Sequence, residues 1–263
     1  MPELPDIEVF RRTLENTALN KPVQGTAVHD DRILEDGLTP SGLGRHLKSK
    51  SFTGAHRHGK ILFLRQRGGT LVLRFGMTGS VEVCPKNEKL PKHTRADLQL
   101  SDGSRLAIIS QRLLGSAGFT DDEPCFIEDA DLGPDALNDD IPEKDFIDML
   151  ANSRATIKAT LMDQSRMAGI GNVYADEILF HASIRPNHKS ETLTQRQRES
   201  IYRKMRHVLT TAVDRIAVER EFPHSWLLPI RGNNAACPRC DGKIKSMKVS
   251  GRTTWYCPHC QNK

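Results

Sequence analysis

Four of the six cysteines fall into one pattern: Cys237-Pro-Arg-Cys240, sixteen residues, then Cys257-Pro-His-Cys260. Two such knuckles present four thiolates to one tetrahedral ion, the spacing of a zinc ribbon. Four soft ligands leave no open position for an activated water, so the ion expected is one structural Zn2+. Disulfides are the poorer alternative in a cytoplasmic chain, where thiols stay reduced. That location is expected because the first thirty residues carry Glu3, Asp6, Glu8, Arg11 and Arg12 with no apolar signal region, and no apolar run is long enough to span a bilayer. Cys84 and Cys125 stand alone and read as ordinary small apolar residues.

A second pattern is MAGIGNVYADEILF, residues 167 to 180. Gly169 and Gly171 bracket one apolar residue, and Asn172 sits where a helix N-cap belongs. Such a turn can approach a phosphate and offer backbone N–H groups with a helix dipole behind them; it can equally be a tight turn into a helix.

Charge is unevenly spread. Residues 1 to 150 hold 19 Lys and Arg against 24 Asp and Glu, whereas residues 151 to 263 hold 19 against 9. A basic half suggests a polyanion such as nucleic acid, or simply a well-solvated surface.

The elements that must position these residues divide in two. From about residue 20 to 120, short apolar runs such as KILFLRQ and TLVLRFGMTGSVEV are punctuated by the turn signals Arg67-Gly68-Gly69 and Ser101-Asp102-Gly103, which predicts hairpins in a sandwich or barrel. A helix is expected to begin just after Pro5, with Asp6 in its first turn. Residues 121 to 148 read as an acidic connector. Beyond a boundary near Gly133, DFIDMLANS, ATIKATLMDQ, NVYADEILFHA and the long basic stretch from Thr194 to Arg220 have helical periodicity.

In this order, Pro2-Glu3-Leu4-Pro5, HGKILFL around Lys60, GMTGS around Met77, LGPDAL, GIGNVYADEILF and GRTTWYCPHCQ make the chain resemble the formamidopyrimidine-DNA glycosylase and endonuclease VIII family of base-excision repair enzymes, nearly end to end. The opening Pro-Glu-Leu-Pro is similar to the formamidopyrimidine branch. The resemblance implies an α+β fold: a catalytic N-terminal β-sandwich with a terminal helix over 1–132, a helix-two-turns-helix DNA-binding domain over 133–230 and a zinc finger over 231–263, with DNA in the cleft between. The implied partner is double-stranded DNA containing damaged bases or abasic sites, met by a monomer without a membrane, at the nucleoid.

The implied chemistry is bifunctional. Removal of Met1 exposes the secondary amine of Pro2; an α-amino group with a pKa of roughly 7.7 to 8.0 is about a tenth free base at neutral pH, far more than a lysine near 10.4. Attack on C1′ expels the damaged base and leaves an iminium, from which β- and δ-elimination cut the strand. Glu3 is the expected acid/base, and Lys60 approaches the sugar and phosphate beside the lesion. Arg252 clamps a phosphate with its planar fork, and Asn172 positions the backbone. Met77 and Arg112 match positions that fill the void left by a flipped base, although core packing is the ordinary role of a methionine. His93 and Arg154 match further DNA-contacting positions.

Two departures bear on specificity. The family usually follows the inserted arginine with arginine and phenylalanine, whereas this chain reads Arg112-Leu113-Leu114-Gly115; a leucine wedges between bases but does not stack as a ring does. The segment Glu221 to Ala236 is also too short for the loop that caps 8-oxoguanine in typical members. Excision of 8-oxoguanine is therefore expected to be poor relative to ring-opened purines or oxidised pyrimidines. An endonuclease VIII-like specificity and a non-catalytic lesion-binding protein are the alternatives.

Overall fold

In the computed structural model the described residues are 1–35, 37–138, 141–219, 221–232 and 234–261. The chain forms two compact units, one of Met1–Pro2 and Asp6–Ala130, the other of Glu3–Pro5 and Asp131–Lys263.

Helix α1 (Leu4–Thr17) opens the chain and starts two residues earlier than Pro5 suggests. Proline is tolerated in a first turn because its missing N–H has no helical partner there. The first unit then consists of two four-stranded antiparallel sheets. One has the order β1 (Val23–Val28), β6 (Thr94–Leu100), β7 (Arg105–Ser110), β5 (Gly79–Cys84); the other runs β2 (Phe52–His58), β3 (Ile61–Gln66), β4 (Gly69–Arg74), β8 (Ser116–Thr120). Both glycine turn signals join neighbouring strands, β3 to β4 and β6 to β7, with Gly68 at φ +82° and Gly103 at φ +86°. Alternating aliphatic residues, among them Leu62, Leu64, Leu71, Leu73, Leu98 and Leu106, form one buried core with Ile7 and Leu14 of α1.

Two short helices interrupt the β pattern. Helix α2 (Pro40–Leu47) is capped by Thr39, whose hydroxyl accepts the Gly42 N–H, with Pro40 at its start. Glycines at 42 and 44 hide it from a propensity reading. Helix α3 (Glu123–Asp129) replaces part of the expected connector; Asp122 caps it, and Arg65 grips the Glu123 carboxylate at 2.7 and 2.9 Å.

The second unit holds α4 (Glu143–Ala151), α5 (Ile157–Met162), α6 (Asn172–Ala182) and α7 (Gln195–Ala217), the last with a full capping box from Thr194 and Gln197. Their apolar faces meet in a core containing Phe146, Ile178, Met205, Leu209 and Trp226. A hairpin of β9 (Lys245–Val249) and β10 (Arg252–Tyr256) turns through Ser250 at φ +48° and Gly251 at φ +76°. Sandwich, helical part and ribbon hairpin give the α+β fold expected from the sequence.

Candidate active site and nucleic-acid interface

Glu3 is fully buried. Its carboxylate accepts backbone N–H groups from Gly171 (2.9 Å), Val173 (2.8 Å) and Tyr174 (3.1 Å), while the Leu4 N–H donates to the Gly169 carbonyl at 3.2 Å. Three amides at the α6 N-terminus are thus spent on the side chain beside Pro2, a carboxylate at the positive end of a helix. Those three N–H groups are taken by Glu3, whichever of the two roles weighed from the sequence the turn plays. Gly171, not Asn172, is the N-cap residue, and Asn172 is the first residue of the helix. Both glycines are needed for close approach. A Cβ on Gly171 would lie 2.3 Å from Glu3 Cδ, and one on Gly169, at φ +115°, would lie 2.4 Å from Leu4 Cδ1.

Asn172 faces the ribbon. Its Oδ1 accepts from Lys158 Nζ at 2.7 Å, and its Nδ2 donates to the Thr253 carbonyl at 3.3 Å. Lys158, which lies outside the quoted motifs, and Asp176, inside GIGNVYADEILF but not singled out there, form a fully buried ion pair at 2.6 Å. Burial pushes the Lys158 ammonium down and the Asp176 carboxyl up, while the charge of each opposes the shift of its partner. Asp176 also accepts from the Trp255 N–H at 3.0 Å and from Arg231 at 2.9 Å.

Arg252 begins β10 beside the hairpin turn and is exposed. With Arg154, also exposed, and Arg166 it lines a depression of about 430 Å³. Two of the arginines singled out from the sequence therefore meet on one surface, with a third that the sequence did not flag.

Lys60 ends the tight turn joining β2 to β3, after Gly59 at φ +56°. Arg57, almost fully buried, donates to the Gly59 carbonyl at 3.2 Å and to Glu8 of α1 at 3.2 Å. Burial alone would raise the Glu8 carboxyl, but hydrogen bonds from Arg11 and Arg12 and the charges of Arg11 and Arg57 bring it down to about 2. No motif marks Arg57 or Glu8.

Met77 is 44% exposed, which removes core packing as its role. Arg112 points at it, with Nη1 3.4 Å from Met77 Sδ, and its N–H donates to Thr78 Oγ1 at 3.3 Å. The loops carrying them touch: Gly76, at φ +55°, has the Leu114 carbonyl 2.2 Å from where a Cβ would sit. Leu113, at φ +51°, packs against the sandwich core, and Leu114 is left 52% exposed. His93 is exposed on the loop before β6, at φ +64°.

The four cysteine sulfurs lie within 4.8 Å of one another, with Sγ separations of 3.6 Å for Cys237 to Cys260, 3.6 Å for Cys240 to Cys257 and 3.2 Å for Cys260 to Cys240. Tetrahedral Zn–S bonds of about 2.3 Å require sulfurs roughly 3.8 Å apart, so the cluster fits one zinc ion. The Gly242 N–H donates to Cys240 Sγ at 3.3 Å, an orienting contact for a thiolate ligand.

Family models match in the same order: the formamidopyrimidine-DNA glycosylase N-terminal domain over residues 1–117, its H2TH domain over 132–221, and the zinc finger found in FPG and IleRS over 236–263. The formamidopyrimidine-DNA glycosylase of Carboxydothermus hydrogenoformans is 31% identical, covering 99% of this chain and 100% of its own.

This chain belongs to the formamidopyrimidine-DNA glycosylase family.

The namesake of Alkalilimnicola ehrlichii is 32% identical over 99% of this chain and 100% of its own. Among solved structures, wild-type Lactococcus lactis Fpg in complex with DNA containing an oxidized pyrimidine superposes with a TM-score of 0.91 at 25% identity, covering 100% of both chains. The protein is a base-excision repair DNA glycosylase of a family with abasic-site lyase activity, and its finger holds one zinc ion. Among the described residues no helix is long and apolar enough to cross a membrane.

Proposed function

We propose that this glycosylase removes ring-opened purines and oxidised bases from double-stranded DNA through the amine of Pro2, then cuts the strand at the resulting abasic site. The observation that carries the reading is the Glu3 carboxylate held by three N–H groups, those of the Gly171 N-cap and of Val173 and Tyr174 in α6, with Pro2 directly before it in the chain. Zinc, when bound, shapes the finger and supplies no reactive water.

Once Met1 is removed, the Pro2 nitrogen attacks C1′ of the extruded nucleotide. The C1′–N bond to the base breaks, the base leaves with a proton, and an iminium forms between Pro2 and C1′. Glu3 delivers a proton to the ring oxygen as the sugar opens and takes it back on release. The iminium acidifies the C2′ proton; its loss expels the 3′ phosphate, and a second elimination expels the 5′ phosphate. Lys60 contacts the sugar and phosphate beside the lesion. Arg252 and Arg154 bind phosphates from one surface, Asn172 steadies the backbone, His93 adds a contact, and Met77, Arg112 and Leu114 occupy the void.

The short segment before Cys237 favours lesions that need no cap, formamidopyrimidines and oxidised pyrimidines, over 8-oxoguanine. The Lactococcus lactis complex with an oxidized pyrimidine supports this range. The division at residues 132 and 230, action as a monomer and association with the nucleoid complete the proposal.

Single-turnover assays on duplexes carrying a formamidopyrimidine, 5-hydroxycytosine or 8-oxoguanine, with borohydride present, test it. Covalent trapping on the first two lesions and slow trapping on 8-oxoguanine are expected. Equal rates on 8-oxoguanine and formamidopyrimidine overturn the lesion range, and binding without any adduct leaves the non-catalytic reading.

A further inference from the structure

The Lys158 ammonium is enclosed by three acceptors on two elements: Asn172 Oδ1 at 2.7 Å and Asp176 Oδ1 at 2.6 Å on α6, and Thr254 Oγ1 at 2.7 Å on β10. The second Asp176 oxygen takes the Trp255 N–H and the Arg231 guanidinium. Thr254 Oγ1 in turn lies 3.4 Å from the Arg252 carbonyl, to which it donates, and Thr254 is fully buried. The Lys158 ammonium and both Asp176 oxygens are therefore used to join α5, α6 and the ribbon hairpin.

We infer that Asp176 and Thr254 are positioning residues for DNA binding: through Lys158 they fix the spacing between Asn172 at the start of α6 and Arg252 on the hairpin, so that both reach phosphates without rearrangement. This rests on the proposal that Asn172 and Arg252 contact DNA. Lys158 makes no contact with DNA itself, because its three protons are spent inside the fold. A hairpin that wandered would have to be ordered at each binding event, which lowers affinity without altering the amine at the far end of the chain.

The test separates affinity from chemistry. Affinity is read by fluorescence anisotropy on a duplex with a tetrahydrofuran abasic analogue, and chemistry by single-turnover borohydride trapping on an abasic-site duplex at saturating enzyme. Thr254→Val keeps shape and removes the acceptor; it is expected to weaken binding about fivefold, and Thr254→Ser, which keeps the hydroxyl, to bind within about twofold of wild type. Asp176→Asn, which leaves Lys158 and Arg231 short of a counter-charge, is expected to weaken binding about tenfold or more. Trapping rates at saturation stay within about twofold of wild type for all three, with one zinc per chain.

Wild-type affinity in Thr254→Val, equal losses in the valine and serine variants, or a fall in trapping rate at unchanged affinity would each overturn the inference. If Asp176→Asn does not fold, the Thr254 pair decides alone. Arg252→Gln is the benchmark. Unchanged affinity there overturns the phosphate reading and this inference together, whereas a loss in Arg252→Gln without one in Thr254→Val overturns the inference alone.

Discussion

The Glu3 carboxylate fills the space that a side chain at residue 171 would need, with Cδ 2.3 Å from the Cβ position of Gly171. Gly171→Ala must therefore push Glu3 off the N–H groups of α6. It is expected to lower the single-turnover glycosylase rate by about 10²-fold or more, matching Glu3→Gln, because a positioned acid/base contributes that much. Affinity for a tetrahydrofuran duplex should change little. Near wild-type turnover in Gly171→Ala would show that Glu3 does not act from this position.

Leu114 stands 52% exposed beside Met77 and Arg112, with Leu113 turned into the core. Leu114→Phe is expected to tighten binding to abasic-site duplexes and to sharpen the preference for the opposite base, since base–aromatic stacking is worth about 1–3 kcal/mol. Leu114→Ala should weaken binding. Anisotropy titrations against the four opposite bases give the answer, and identical affinities for the leucine, alanine and phenylalanine proteins would remove Leu114 from the interface.

The ion pairs of Glu8 give a pH signature. Its carboxyl is about 2 in the fold against an ordinary 4.5, so the stabilisation is fully present above about pH 4.5 and fades as pH falls toward 2. Thermal unfolding of wild type and Glu8→Gln should therefore differ at pH 6 and converge in strong acid. A difference that grows on acidification would carry the wrong sign.

Removing zinc should release the four thiolates and free the hairpin that carries Arg252. A chelator is expected to lower DNA affinity by about tenfold or more, with recovery on adding zinc, because structural zinc supplies folding energy outright. Unaltered affinity after verified zinc loss would detach the finger from DNA binding.

The parts legible in the sequence are those with fixed spacing or period. The cysteine pairs, the two glycine hairpins, the helical stretches and the ordered motifs each carry a local signal that the fold obeys. Helix α2 escaped because Gly42 and Gly44 lower its propensity, and tertiary packing of Leu43 and Leu47 overrides that. The Gly-Ile-Gly-Asn turn carries a local signal for a tight entry into a helix, but its use by Glu3 is not legible, since Glu3 lies 168 positions away in the chain. The pairings Lys158–Asp176 and Arg57–Glu8 are illegible for the same reason: a buried ion pair is defined by long-range contact, and even Asp176, inside a quoted motif, does not name its partner.

The most direct measurement is where the trapped DNA is attached. The enzyme is reduced with borohydride on an abasic-site duplex, digested, and the adducted peptide is sequenced by tandem mass spectrometry after Met1 removal is verified. The expected adduct sits on the Pro2 nitrogen, and Pro2→Gly traps more slowly. An adduct on Lys60 or another lysine, with trapping undiminished in Pro2→Gly, would contradict Pro2 as the nucleophile.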